Sequence, residues 1–284
     1  MGIEKVSVLG GGTMGMGVAQ TLAQQGSTIT VCDLDLDILK KNLSGTVKNL
    51  QKLVERQKMT EEEAKGVESR IKLTTKIADI ANVDMVVECV FEDMEVKKKM
   101  FSELDRACPT HTILATNTSV LSPTEIGAAT KRPGKVVGMH WFNPAPVMKL
   151  IEVTAGLETS EETVQAVVEF SKKIGKTPVR VKEAPGGIVS RVLRAMLNAS
   201  VDIMAEGTAS AEDIDTAMKQ GAGFPMGPFE LIDMIGVDIH TINSDNITRE
   251  LNDPRYRPNF LLRKMVRAGR LGRKTGRGFY TYPR

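Results

Sequence analysis

Short apolar runs rich in β-branched residues alternate with longer segments of helical periodicity along the N-terminal part of the sequence. The apolar runs predict strands at Lys5–Leu9, Thr28–Cys32, Ile71–Thr75, Met85–Glu88, Thr112–Ala115, Val136–His140, Leu150–Thr154 and Thr177–Val181. Between most of them the periodicity is helical, as in Thr13–Gln25 and Leu36–Lys58. Because strands that alternate with helices are typical of a mostly parallel sheet covered on both faces, we predict an α/β fold.

The pattern changes at Ala184–Gly187, and the sequence beyond it is helical. The pattern there predicts helices at Ile188–Ala205, Ala211–Lys219, Phe229–Ile242 and Leu261–Ala268. Clusters of Pro and Gly mark breaks between structural elements. We therefore predict two domains, with the mostly parallel sheet in residues 1–185 and an all-helical domain in residues 186–284.

Composition mainly excludes classes of function. The chain has 284 residues, enough for two domains, and its net charge of +3 is too small to indicate a nucleic-acid partner. No apolar run approaches the ~18 residues that would indicate a membrane span. The three cysteines have no metal-ligand spacing, so we predict no metal site, and such sparse cysteines are typical of reduced thiols in a cytoplasmic protein.

A glycine-rich segment, Gly10–Gly15, follows the first predicted strand and begins a helix. It contains the GxGxxG pattern of Rossmann-type dinucleotide-binding domains. Gly10 permits the tight turn, Gly12 lets a pyrophosphate approach the backbone, and Gly15 lets the helix pack closely on the strand. The free N–H groups of the helix start attract phosphate. The predicted cofactor-binding residues here are Gly10, Gly12, Thr13, Met14 and Gly15.

Asp33 ends the second predicted strand, where a carboxylate accepts hydrogen bonds from the adenosine ribose. No cation follows it before Lys40, so a 2′-phosphate would meet a negative charge. The predicted cofactor is therefore NAD rather than NADP. The alternative is an ordinary turn between strand and helix with a solvated aspartate.

Two ionisable residues are out of keeping with the strands that contain them. His140 ends a strand beside Trp141, and Glu152 interrupts an apolar run. A carboxylate that holds a histidine fixes its tautomer and raises its basicity, which gives a proton-transfer pair. The alternatives are a satisfied core histidine and an edge strand whose glutamate lies in water.

At these residues the sequence resembles the L-3-hydroxyacyl-CoA dehydrogenases, and within them the bacterial 3-hydroxybutyryl-CoA dehydrogenases. The similar segments cover nearly the whole chain in order: VSVLGGGTMGMGVAQ, VVECVFEDMEVKKKMF, ILATNTSVLSPTEI, KVVGMHWFNPAPVMKLIEV, MGPFELIDMIGVD and GRKTGRGFYTY. The resemblance implies an NAD-dependent oxidoreductase that interconverts (S)-3-hydroxybutyryl-CoA and acetoacetyl-CoA. It also implies a homodimer.

The resemblance assigns roles to individual residues. His140 is the general base and Glu152 orients it, while Ser119 and Asn143 hold the substrate oxygen and the nicotinamide end. Further positions match residues of the family that touch the cofactor: Glu92, Lys97, Asn117 and Lys274.

Cations are also expected for the phosphates of coenzyme A. Lys48, Lys52 and Arg56 recur at i, i+4 and i+8 and so share one face of a predicted helix. A solvated cationic face is the alternative. With the resemblance, Lys52 and Arg56 are the predicted coenzyme A contacts.

The sequence departs from the family in the segment Pro185–Arg191. Gly187 replaces an aromatic residue, and Ser190 replaces an asparagine that contacts the acyl ketone region. Ser190 remains the predicted acyl contact. The departures leave open a dehydrogenase of another 3-hydroxyacyl-CoA or of a free 3-hydroxy acid. A protein of different class, binding NAD without catalysis as a crystallin does, is the third alternative.

Overall fold

The computed structural model describes residues 2–283, and the chain divides between Ala184 and Pro185 into two compact units. We call them the sheet unit, which ends at Ala184, and the helical unit, which begins at Pro185.

The sheet unit is built on one sheet whose strands, within residues 2–283, have the order β3-β2-β1-β4-β5-β6-β7-β8. Every neighbouring pair is parallel except β6 and β7, which are antiparallel. The predicted mostly parallel sheet is therefore confirmed. The strands are β1 (Val6–Leu9), β2 (Ile29–Cys32), β3 (Ile71–Thr74), β4 (Met85–Glu88), β5 (Ile113–Thr116), β6 (Val136–Trp141), β7 (Leu150–Ala155) and β8 (Thr177–Lys182).

Helices connect the strands and cover both faces of the sheet, with a separate apolar core on each face. The predicted helix Leu36–Lys58 ends early, because Gln57 has a positive φ of 55° that a helix cannot continue through. Thr60 and Glu63 form a capping box that begins the next helix along the chain. The helices are α1 (Thr13–Gln24), α2 (Leu36–Glu55), α3 (Glu61–Ser69), α4 (Met94–Ala107), α5 (Pro123–Gly127) and α6 (Glu161–Lys173).

The helical unit packs its helices around a third apolar core that includes Leu197, Phe229 and Leu262. The single helix predicted at Phe229–Ile242 is wrong. Gly236 has a φ of 104°, which breaks the helical path and separates two helices. The helices are α7 (Val189–Ala205), α8 (Ala211–Gly221), α9 (Pro228–Ile235), α10 (Val237–Leu251) and α11 (Phe260–Arg267). Across residues 2–283, no helix combines the length and the apolarity that a membrane crossing needs.

Candidate active site

The glycine-rich loop follows β1 and gives each of its three motif glycines a different environment. Gly10 has a φ of +98°, and a Cβ there would lie 2.6 Å from the carbonyl carbon of Cys89. At Gly15 a Cβ would lie 1.8 Å from the carbonyl oxygen of Gly10, so the start of α1 packs against the loop. At Gly12, by contrast, a Cβ would meet no described atom within 4 Å. The backbone is therefore open to a ligand at the middle glycine.

The start of α1 adds hydrogen-bond donors to this open side. Gly12 is the N-cap and, within the described chain, no side chain caps the helix. The first N–H groups of a helix, here those of Thr13 and Met14, have no partner inside it and point outward with a partial positive charge. The loop and the helix start therefore fit the pyrophosphate of a dinucleotide.

Asp33 follows β2 and lies beside the same loop. Its Oδ2 accepts a hydrogen bond of 2.6 Å from the N–H of Gly11, and its Oδ1 accepts one of 2.7 Å from the N–H of Leu34. A carboxylate has about four acceptor positions, so capacity for ribose hydroxyls remains. Its negative charge at this place fits the unphosphorylated ribose of NAD.

A buried ion pair lies where β4 ends. The Nζ of Lys97 is 2.7 Å from Oε1 of Glu88, and neither side chain has any exposed surface. Glu88 also accepts hydrogen bonds from the hydroxyl of Thr116 and the N–H of Val90, each 2.7 Å long. Burial acts to lower the pKa of Lys97, but the carboxylates of Glu88 and Glu92 outweigh it and raise that pKa. Lys97 thus lies inside the protein, bound to strand β4.

Glu92 connects this ion pair to the loop that follows β5. Its Oε2 is 3.4 Å from Nζ of Lys97, while its Oε1 accepts hydrogen bonds from the hydroxyl of Thr118 at 2.6 Å and the N–H of Ser119 at 2.8 Å. Asn117 in the same loop accepts a hydrogen bond of 2.9 Å from the N–H of Trp141. The candidate residues Glu92, Asn117 and Ser119 are therefore brought together and linked to strand β6.

His140 and Glu152 lie directly opposite each other on the antiparallel strands β6 and β7. The Nδ1 of His140 is 3.0 Å from Oε2 of Glu152. The side chain of Glu152 is 2% exposed and that of His140 is 13% exposed. Since β7 lies between β6 and β8, the alternative of an edge strand with a solvated glutamate is wrong. The geometry is that of a histidine held by a buried carboxylate.

The segment after β6 carries Asn143, which is exposed. A lysine that the sequence analysis did not single out anchors this segment. The buried Nζ of Lys176 donates hydrogen bonds to the carbonyl oxygens of Ala145 at 2.6 Å and Met148 at 2.8 Å, and it lies 5.5 Å from the ring centroid of Trp141. Burial lowers its pKa. No sequence signal separates such a lysine from an ordinary surface lysine.

The predicted coenzyme A contacts Lys52 and Arg56 lie at the end of α2 and are exposed, as is Lys48 one turn earlier. None of the ion pairs among residues 2–283 involves these three side chains. They are available to phosphate groups, although a solvated cationic face has the same geometry.

The remaining candidates lie in the helical unit. Ser190 is buried in the first turn of α7, and Gly187 just before that helix has a φ of 50°, which favours glycine. The Nζ of Lys274 is 2.6 Å from Oδ2 of Asp238 at the start of α10. Within the described residues no group of three or more His, Cys, Asp or Glu side chains could hold a metal ion.

Comparison with known proteins gives the same picture over the whole chain. The family model for the NAD binding domain of 3-hydroxyacyl-CoA dehydrogenase matches residues 5–184, and that for its C-terminal domain matches residues 186–282. The predicted cofactor, NAD, is therefore confirmed.

Individual relatives agree with the family models. The chain is 47% identical to a 3-hydroxybutyryl-CoA dehydrogenase of Clostridioides difficile, over 98% of this chain and 99% of the relative. It is 42% identical to a human mitochondrial hydroxyacyl-coenzyme A dehydrogenase, over 99% of this chain and 91% of the relative. The solved structure of (S)-3-hydroxybutyryl-CoA dehydrogenase PaaH1 from Ralstonia eutropha is 40% identical, with a TM-score of 0.94 and coverage of 99% and 100%. The chain therefore belongs to the 3-hydroxyacyl-CoA dehydrogenase family of NAD-dependent oxidoreductases.

Proposed function

We propose that this chain interconverts (S)-3-hydroxybutyryl-CoA and acetoacetyl-CoA with NAD as the hydride carrier. The observation that carries the proposal is the 3.0 Å contact between Nδ1 of His140 and Oε2 of Glu152. His140 lies near the carboxyl end of β6, and the glycine-rich loop follows the carboxyl end of β1 in the same sheet. The names of the relatives from C. difficile and R. eutropha support the C4 substrate.

The paired residues have complementary roles in proton transfer. Glu152 accepts the Nδ1–H of His140, which leaves the lone pair on Nε2 to take the proton of the 3-hydroxyl group. The imidazolium that forms is stabilised by the buried carboxylate. In the reducing direction, Nε2 returns the proton to the developing alkoxide. General acid–base catalysis of this kind contributes about 10²–10⁴-fold in rate.

NAD, when bound, supplies the nicotinamide that accepts a hydride from C3 of the substrate. The chain's part is to bind and orient. The loop Gly10–Gly15 holds the pyrophosphate, and Asp33 holds the adenosine ribose. Ser119 and Asn143 position the substrate oxygen and the nicotinamide end. Glu92, Lys97 and Asn117 contact the cofactor as well, and their hydrogen bonds and ion pair fix the loops that follow β4 and β5.

Other candidates serve the rest of the substrate and the cofactor. Lys52 and Arg56, exposed and free of intramolecular ion pairs in the described chain, bind the phosphates of coenzyme A. Ser190 contacts the acyl group, and Lys274 contacts the cofactor.

We assign residues 1–185 to cofactor binding and residues 186–284 to closing over the substrate and to forming a homodimer. Exposed apolar side chains on α7 and α10 support a dimer surface there: Val192, Ile203, Ile239 and Ile242. Light scattering of the purified protein measures the dimer directly, and a monomer at micromolar concentration would refute the proposed homodimer.

The free thiols of Cys32, Cys89 and Cys108 suit a reducing compartment, so we place the protein in the cytoplasm.

The test of the function is NADH oxidation with acetoacetyl-CoA by the native chain, by His140→Ala and by His111→Ala. His111 is an exposed histidine that precedes β5, at the opposite end of that strand from Asn117 and Ser119, and it serves as the matched control. We expect rapid turnover by the native chain and by His111→Ala, and a loss of about 10²–10⁴-fold in kcat for His140→Ala. NADH binding without turnover by the native chain would refute the proposed reaction.

A further inference from the structure

The segment Phe142–Lys149 connects β6 to β7 and carries Asn143, but it has no helix or strand of its own. The side chain of Asn143 is exposed and, within the described chain, takes part in no hydrogen bond. Its position is therefore set by the backbone around it. A group that contacts reacting atoms has to be held to within about 0.5 Å, so this segment needs a rigid support.

The side chain of Lys176 supports the segment from the turn between α6 and β8. Its Nζ donates hydrogen bonds to the carbonyl oxygen of Ala145 at 2.6 Å and to that of Met148 at 2.8 Å. Across residues 2–283, no other side chain forms a hydrogen bond with Phe142–Lys149. One ammonium group thus supplies all the side-chain hydrogen bonds that hold this connection.

The two carbonyl groups that Lys176 binds belong to a closed turn. The N–H groups of Val147 and Met148 both donate to the carbonyl oxygen of Pro144, at 2.9 Å and 3.0 Å. This turn begins directly after Asn143. A displacement of the turn therefore displaces Asn143 with it.

The same turn also packs against α1, the helix that begins at the glycine-rich loop. A Cβ at Gly17 would lie 3.1 Å from Cβ of Ala145 and 3.4 Å from Cδ of Pro146. The close approach of α1 fixes the turn by packing, and Lys176 fixes it by hydrogen bonds. The turn after β6 is thereby tied to the helix that the proposed function assigns to the cofactor.

The surroundings of Lys176 favour strong hydrogen bonds. The residue is only 8% exposed, and its Nζ lies 5.5 Å from the ring centroid of Trp141, which directly follows His140 in β6. An ammonium over an aromatic face is attracted by the ring. Burial lowers the pKa of Lys176, because its ammonium has left water. Hydrogen bonds from an ionised donor are roughly twice as strong as neutral ones, so two of them hold the turn firmly.

We propose that Lys176 is a positioning residue, which fixes the turn after β6 and so holds the amide of Asn143 where it meets the substrate oxygen and the nicotinamide end. This inference rests on the proposed function, which gives Asn143 its role. Lys176 itself touches neither substrate nor cofactor, because carbonyl oxygens of the turn occupy its ammonium. It acts on the reaction only through Asn143.

The experiment compares NADH oxidation with acetoacetyl-CoA by the native chain, Lys176→Met and Lys173→Met. A misplacement of about 1 Å can cost 10²-fold in rate, so we expect kcat of Lys176→Met to fall by about 10–100-fold. KM for NADH should stay within about threefold, because the contacts at Gly10–Gly15 and Asp33 are untouched. Lys173 is an exposed lysine at the end of α6, and Lys173→Met should retain the native kinetics. Native kcat in Lys176→Met would overturn the proposal.

A double-mutant cycle separates positioning from a merely structural role. If Lys176 acts through Asn143, the double variant of Lys176→Met with Asn143→Ala should be slower than the slower single variant by no more than about threefold. Losses in kcat that multiply would show that Lys176 acts independently of Asn143, and would overturn the proposal. Lys176→Gln keeps N–H donors without the charge, and it replaces the methionine variant in the same cycle should that variant fail to fold.

Trp141 is the chain's only tryptophan, so its fluorescence reports on the support without any turnover. It is 2% exposed in the native chain. We expect acrylamide to quench it more strongly in Lys176→Met while the far-ultraviolet circular dichroism stays native. Quenching as weak as in the native chain would overturn the proposal. No turnover of acetoacetyl-CoA by the native chain would refute the proposed function instead, and the quenching comparison would still test the support of the turn.

Discussion

Lys97 and Glu88 form an ion pair of 2.7 Å that has no contact with solvent, between the first turn of α4 and the end of β4. The pair joins the helix to the strand whose end supports the candidate site. Removing one partner leaves the other charge buried and unpaired, which costs more than the pair itself contributes.

Lys97→Met is therefore expected to lower the free energy of unfolding by about 3–5 kcal/mol, measured by urea denaturation. Lys98→Met is the matched control, because Lys98 is half-exposed and pairs with Glu95 and Glu125 at the surface, so its loss should cost no more than about 1 kcal/mol. The double variant Lys97→Met with Glu88→Gln should recover part of the loss. Equal stabilities of Lys97→Met and Lys98→Met would contradict this account of the pair.

Glu152→Gln tests whether the buried carboxylate assists His140. The amide keeps the size of the side chain but removes the charge that stabilises the imidazolium and allows the wrong histidine tautomer. We expect kcat with acetoacetyl-CoA to fall by about 10²-fold or more, while KM for NADH changes little. The pH–rate profile should also shift, because the charge next to His140 has changed. A purely structural role of Glu152 would lower kcat without shifting that profile. Glu158→Gln, in the exposed loop after β7, is the control, and equal kcat values for both variants would rule out the assisting role.

Asp33→Asn tests the origin of cofactor choice. The amide oxygen can still accept the hydrogen bond from Gly11, but the negative charge that repels a 2′-phosphate is gone. We expect the ratio of kcat/KM for NADPH to that for NADH to rise by about tenfold or more, equivalent to 1.4 kcal/mol. Asp37→Ser, at an exposed position of α2, should leave the ratio unchanged. An unchanged ratio in Asp33→Asn would mean that another group sets the choice of cofactor.

His240 gives the stability of the protein a predictable pH dependence. Its pKa falls from 6.5 to about 3 on folding, because of burial and the nearby Arg194. Between these values the unfolded chain binds a proton that the folded chain does not, so stability falls as the pH falls through this window. The contribution is at most about 1.4 kcal/mol per pH unit.

The measurement is urea denaturation of the native chain and of His240→Gln between pH 7 and pH 4, compared at each pH. The variant is expected to lose less stability on acidification, since it lacks the group that takes up the proton. His111→Gln removes an exposed histidine that lies 3.8 Å from Asp84, and it should follow the native curve to within the small contribution of a surface ion pair, about 1 kcal/mol or less. Parallel curves for the native chain and His240→Gln would contradict a strongly depressed pKa at His240.

The sequence alone was sufficient to predict the fold and the site residues where neighbouring residues decide the local structure. The strand, turn and helix around Gly10–Gly15 follow from glycine conformations and apolar periodicity, and so does Asp33 at the end of β2. The break at Gly236 could not be predicted, because a glycine inside a helical pattern is often tolerated and only tertiary packing gives it a positive φ.

Contacts between segments that are far apart in the sequence cannot be predicted from periodicity and residue type alone. Periodicity placed Glu152 in a strand, but the antiparallel direction of β7 and its place between β6 and β8 depend on the whole sheet. Lys97 and Arg194 are charged residues in helices, for which exposure is the usual state. Their burial follows from neighbours that are far away in the sequence.

His140 and Glu152 are a cross-strand pair of β6 and β7, so the register of these two strands decides whether the side chains meet. Side chains alternate between the two faces of a sheet, so a slip of one residue would place the carboxylate and the imidazole on opposite faces. The ladder that completes the sheet therefore also aligns the two side chains, and a folded sheet needs no later loop rearrangement to bring them together. The connection between the two strands can then change in length or sequence during evolution while the alignment of the pair is inherited intact.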